Sequence, residues 1–113
     1  MLKKGIKLSF SEIVLLVELG YFHISVFIKP IISILSSGNE LKDLGEPLEN
    51  KAQIKSSNHL ALANLAKLFG VKAIIFPLLK DDEKLIENNI KNAIDSCDML
   101  VTTGGVSMGD FDY

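Results

Sequence analysis

The stretch Thr102-Thr103-Gly104-Gly105-Val106-Ser107-Met108-Gly109 sets two adjacent glycines among three hydroxyl side chains. Glycine lacks a Cβ, so its backbone can approach a ligand closely, and successive amides can point into one anion-holding hollow. Thr102, Thr103 and Ser107 add hydroxyl donors. The same glycines equally suit a tight turn that needs a positive φ, and the spacing alone leaves both readings open. A second glycine-bearing stretch is Ser36-Ser37-Gly38-Asn39-Glu40, and a third segment, Lys80-Asp81-Asp82, brings paired acids. Glu40, Asp81, Asp82, Asp110 and Asp112 are candidates for a carboxylate cluster. Magnesium takes a few carboxylates plus substrate phosphate oxygens, so acids beside an anion-holding loop make a coherent metal–phosphate site. Against this, Asp81 or Asp82 can serve as the cap of the helix that follows, the better reading for Asp82. Glu40 and Asp110 can be solvated loop charges.

Other chemistries are poorly supplied. The single cysteine, Cys97, excludes an internal disulfide and any zinc site with two or more thiolates, and reads as packing between a helix and a strand. A chain this poor in cysteine fits a reducing, cytoplasmic setting. His23 has no companion nearer than His59, so it reads as a strand histidine rather than a metal ligand. Twelve Lys+Arg against fourteen Asp+Glu leave a net charge of −2, which supplies no broad cationic surface, so nucleic-acid binding is not expected.

These residues need elements to carry them. Hydrophobic residues at 48% and charged residues at 23% suit a packed core rather than disorder. Ser9-Phe10-Ser11-Glu12 has capping-box spacing, Ile13, Leu16 and Val17 share one helical face, and Gly20 ends that helix. Tyr21 to Ile28 is rich in β-branched and aromatic residues and reads as a strand. The run from Ile13 to Leu35 is broken by Glu18, His23, Lys29 and Pro30, so a membrane span is not expected. Lys3-Lys4 is followed by a polar segment, unlike a signal peptide. Ile31 to Ser36 reads as a buried strand and Ser37 to Gln53 as loop. A helix opening near Ser56 or Ser57 and closing at Gly70 follows, then an apolar run from Val71 to Leu79. Asp81-Asp82 head a further helix, and Asp98 to Thr102 is the last strand before the Gly-Gly loop. Alternation of strand and helix from Ile31 onward predicts parallel strands with right-handed crossovers, an α/β layered fold. In such sheets ligands collect at the carboxyl ends of the strands, where all three candidate segments arrive.

Taken together, the two glycine loops resemble the paired signatures of the molybdopterin molybdenumtransferases, the family of bacterial MoeA proteins and of the related domain of gephyrin. Gly45-Glu46-Pro47-Leu48, Gln53-Ile54, Ser57-Asn58 and Asp81-Asp82 fall between them in the family's order and approximate spacing. The resemblance implies a three-layer α/β/α molybdopterin-binding domain with a mostly parallel sheet. It divides the chain into a connecting helix and strand over 1–30 and an incomplete binding domain over 31–113. It implies insertion of molybdate into adenylylated molybdopterin with release of AMP, aided by magnesium. Carried over by position, Glu40, Asp81 and Asp112 match acidic, metal-holding and catalytic positions. Gly38, Gly104, Gly105 and Ser107 match pterin- and phosphate-facing loops. The implied partners are adenylylated molybdopterin, the molybdopterin adenylyltransferase that supplies it, and a second copy in a homodimer.

Three departures stand beside the resemblance. Asn39 replaces a frequent Asp, Lys55 and Ser56 replace an aromatic or Arg and an Asp, and the chain is far shorter than the multi-domain members. The intact parent is therefore expected to be the enzyme, and the 113-residue chain to show little turnover. An incomplete parallel sheet exposes an edge and an apolar face, which is expected to favour self-association or partial order. Two further readings share the fold. Molybdopterin adenylyltransferases carry a Thr-Thr-Gly-Gly loop, which theirs typically continues Thr-Gly rather than Val106-Ser107. A non-catalytic scaffold, as in gephyrin, is the other.

Overall fold

The fold, seen in a computed structural model that describes residues 2–104, grows from one strand buried on both faces. β1 (Ile31–Ser36) is fully buried from Ser33 to Ser36, so alternate side chains on both sides of the strand are covered. Removing Ile34 and Leu35 from water contributes about 1.5–3 kcal/mol each. β4 (Lys72–Ile75) and β5 (Met99–Thr103) pair with β1 on either side, both parallel to it, giving the order β4-β1-β5. Their registers set Ile34 opposite Ile75 on one side and opposite Val101 on the other.

Two crossover helices cover the sheet. α2 (Asn58–Leu68) leads from β1 towards β4 and lies on those two strands. α3 (Glu83–Asp95) leads from β4 to β5 and lies on β5 and β1. The two crossovers run in opposite directions across the sheet, so right-handedness sets the helices on opposite faces and makes three layers. Small residues let α3 sit close: Ser33 Oγ donates to the carbonyl of Ala93 at 3.5 Å, and both residues are wholly buried. Gly70, at φ +70°, turns the chain out of α2 into β4. Asp82 caps α3, its carboxylate accepting from the amide of Leu85 at 2.9 Å.

Three expectations are corrected. Tyr21–Ile28 forms no strand, because strand composition needs a ladder partner and none faces it among the described residues. The loop from Ser37 is not wholly irregular: β2 (Leu41–Lys42) pairs in parallel with β3 (Ile54–Lys55). The apolar run after Val71 pairs as strand only to Ile75, because Pro77 has no N–H to donate and restricts Phe76. Leu79 forms a single parallel bridge to Ser37, just past the end of β1.

Residues 2–30 form an arm with little cover. α1 (Phe10–Glu18) begins with the expected capping box, in which the Ser9 amide donates to Glu12 Oε2 at 2.8 Å, and contains no buried residue. No helix among the described residues is long and apolar enough to cross a membrane.

Candidate functional site

The carboxyl edge of the sheet gathers three loops, each held by backbone groups of its neighbours. After β1, the Ser37 amide donates to the Thr103 carbonyl and the Gly38 amide to the Leu79 carbonyl, both at 3.0 Å. The loop leaving β1 is thereby tied to β5 on one side and to the segment after β4 on the other. Ser36 Oγ and Thr103 Oγ1 lie 2.7 Å apart, a hydroxyl pair beneath the same junction. Each of these links closes a gap of more than forty residues, so only the folded sheet makes them.

Gly104 sits hard against Ser37. A Cβ on Gly104 would overlap the Ser37 carbonyl oxygen and stand 2.7 Å from Ser37 Oγ, and the backbone there has φ +131°. Both the space and the dihedral exclude an ordinary side chain. Gly38 lies under the Glu40 carboxylate: a Cβ on Gly38 would meet both carboxylate oxygens at 2.9 Å. The Glu40 carbonyl accepts from the Ile54 amide at 2.9 Å, which ties this loop to the start of β3.

Asp81 reaches the same edge from β4 and exchanges hydrogen bonds with Asn39, at 3.2 Å and 3.1 Å. Asp82 turns the other way into its capping role. Of the residues expected at the site, Gly38, Glu40, Asp81 and Gly104 lie on these three converging loops. Gly105, Ser107 and Asp112, with Asp110, lie outside the described residues. Carboxylates are hard oxygen donors of the kind magnesium takes, so Glu40 and Asp81 fit that ion in chemistry. Among the described residues no three acidic, His or Cys side chains gather closely enough to hold a metal.

Asn39, Ser36 and Thr103 emerge as the residues that hold the edge together. Their signal in the sequence is faint: hydroxyls and an amide beside glycine are common in any turn. His59 is buried, with Nδ1 2.9 Å from Ser56 Oγ at the head of α2, whereas His23 is exposed. Cys97 is a half-buried free thiol between α3 and β5. A separate pocket of about 500 Å³ lies within the arm, walled by apolar residues such as Leu16, Ile24 and Phe27. Its polar contributors are Lys3, Lys4 and Ser25, with no carboxylate, so it offers no acid–base pair.

In parallel three-layer α/β domains ligands collect at the carboxyl edge of the sheet, where the glycine loops and carboxylates of this chain lie. Residues 33–113 match the family described as "Probable molybdopterin binding domain", and the chain belongs to that family, one of molybdenum cofactor biosynthesis. The chain is similar to the molybdopterin molybdenumtransferase of Nostoc sp., 36% identical over 113 residues, covering 100% of this chain and 26% of that protein. The Staphylococcus epidermidis protein of the same name is 37% identical over 113 residues, covering 99% of this chain and 26% of the relative. Among solved structures, the molybdopterin biosynthesis MoeA protein of Pyrococcus horikoshii superposes with a TM-score of 0.81 at 32% identity, over 91% of this chain and 26% of that one. The chain thus spans about a quarter of the length of the relatives it matches.

Proposed function

We propose that this chain supplies the molybdopterin-binding edge of a molybdopterin molybdenumtransferase. In the proposed reaction the dithiolene sulfurs of adenylylated molybdopterin displace oxo ligands of molybdate, which leave as water, while water cleaves the adenylate and AMP leaves. The observation that carries the reading is the convergence of Gly38, Glu40, Asp81 and Gly104 on one carboxyl edge. It is supported by relatives named for that activity.

In this reading Gly38, Gly104, Gly105 and Ser107 face the pterin and its phosphates, through open backbone and a hydroxyl. Glu40, Asp81 and Asp112 hold magnesium, which when bound offsets charge on phosphate and molybdate. The hydroxyl pair of Ser36 and Thr103 fixes the separation of the two strand ends from which the glycine loops leave. The ligand arrives from a molybdopterin adenylyltransferase, the setting is cytoplasmic, and the longer enzyme works as a homodimer. Turnover belongs to that longer protein, and the 113-residue chain binds with little catalysis.

Calorimetric titration of adenylylated molybdopterin into the chain, with and without magnesium, tests the proposal. Magnesium-dependent binding that Asp112→Asn weakens by tenfold or more is the expected result. A folded chain that takes up no ligand under either condition would remove the binding role.

A further inference from the structure

Asn39 and Asp81 each satisfy the other's backbone. The Asn39 amide donates to Asp81 Oδ2 at 3.2 Å, and the Asp81 amide donates to Asn39 Oδ1 at 3.1 Å. Side chains of this type usually bond backbone groups a few residues away, within their own turn. Here the two reach across 42 positions, from the loop after β1 to the loop after β4. Asp82 takes the local option instead, at the amide of Leu85, so capping and cross-linking are divided between neighbouring acids.

We propose that Asn39 is a positioning residue that acts through Asp81, the two forming a reciprocal clamp that fixes how the Asp81 carboxylate is presented at the sheet edge. The functional sense of the clamp rests on the ligand-binding reading above, but its existence does not. One oxygen of Asp81 is engaged by the Asn39 amide, and Oδ1 accepts no hydrogen bond among the described residues. Asp81 therefore keeps Oδ1 and the second lone pair of Oδ2 for other partners, on a side chain whose rotation the Asn39 amide restrains. Asn39 supplies its acceptor as a neutral amide. A carboxylate there would offer the same oxygen together with a second negative charge against Asp81. The clamp also shares its junction with the Gly38–Leu79 backbone bond, so both loops are held at two points.

Amide hydrogen exchange on the full 113-residue chain, followed residue by residue by NMR, tests this without any ligand. Asn39→Ala removes the acceptor of the Asp81 amide, and exchange there should speed about fivefold to tenfold, the worth of one such bond. The Gly38 amide should loosen with it, while the Ser37 amide, bonded to Thr103 on the other side, keeps its protection. Asp81→Ala should speed exchange at the Asn39 amide by a similar factor. Asp81→Asn, which keeps a carbonyl acceptor, should restore it, a rescue that general loosening of the fold would not produce. Unchanged exchange at Asp81 in Asn39→Ala, or equal loss at Ser37, overturns the proposal. If Asn39→Ala does not fold, the comparison of Asp81→Ala with Asp81→Asn decides alone, and absence of rescue overturns it. Because no ligand enters the readout, failure of the clamp and failure of the binding role are separate results.

Discussion

Gly104 carries the sharpest constraint at the scale of single residues. Its backbone dihedral is one that side-chain-bearing residues rarely adopt, and the space a Cβ would need is filled by Ser37. Gly104→Ala should therefore lower stability by about 2 kcal/mol or more, the strain of a misplaced dihedral plus a displaced strand end. Urea unfolding measures this directly. Adding Ser37→Ala should not restore the loss, because the overlapping carbonyl belongs to the backbone and remains. Full recovery in the double variant would mean that the Ser37 hydroxyl alone was the obstacle. Gly38 differs, because a Cβ there would meet only the end of the flexible Glu40 side chain, which can move aside, so its φ of +154° is the main constraint.

Helix termini carry most of the testable energetics at the scale of elements. Asp82 satisfies an otherwise free amide at the head of α3, and Asp82→Ala should cost about 1 kcal/mol. The measurement is the shift in unfolding midpoint, with Asp82→Asn retaining most of the stability. At α1, the Ser9 hydroxyl and amide hold the Glu12 carboxyl below its ordinary pKa. A folded-state pKa lowered below the unfolded value gives stabilisation that is complete above the unfolded pKa and lost as pH falls through the folded one. The helical content of α1 should decline on acidification through that range, and NMR titration of Glu12 checks it. Glu12→Gln should remove the acid-range step while leaving α3 untouched. Elsewhere, Lys91 lowers the pKa of Glu87 on the exposed face of α3, a contact that water screens almost fully.

The whole molecule is elongated. Its Cα radius of gyration is 19.8 Å, with extents of 62 × 26 × 22 Å. A compact chain of about this length would have a radius near 13 Å. The excess comes from the arm, where Phe22 is 85% and Ile28 94% exposed on a stretch of large apolar residues. Surface of that kind is normally covered by protein. The chain should therefore associate as its concentration rises, seen as a growing sedimentation coefficient. Replacing Phe22 and Ile28 with Ser should shift the material towards monomer without changing the unfolding of the sheet domain. A monomer at all concentrations would show that the arm folds back onto itself in solution.

Much of the fold was legible in the sequence, and the reasons are local. The helix boundaries at Ser9, Gly70 and Asp82 follow from capping and left-handed glycine geometry, which act within a few residues. The apolar run of β1 announces a strand buried on both faces, and the alternation of elements announces a parallel sheet. The glycine loops carry the family resemblance through residue order alone. Pairing is different in kind. Tyr21–Ile28 has the composition of a strand, and only the lack of a neighbour keeps it out of a sheet. β2 and β3 are two residues each, too short for a periodic signal, and exist because Glu40 and Lys42 accept from Ile54 and Ser56. The order β4-β1-β5, the contact of Gly104 with Ser37 and the clamp of Asn39 with Asp81 likewise join residues about forty or more positions apart. Local chemistry chooses which segments become strands, helices and turns. Which of their edges and loops meet is decided only when burial of β1 from both faces brings remote backbone donors and acceptors within reach of one another.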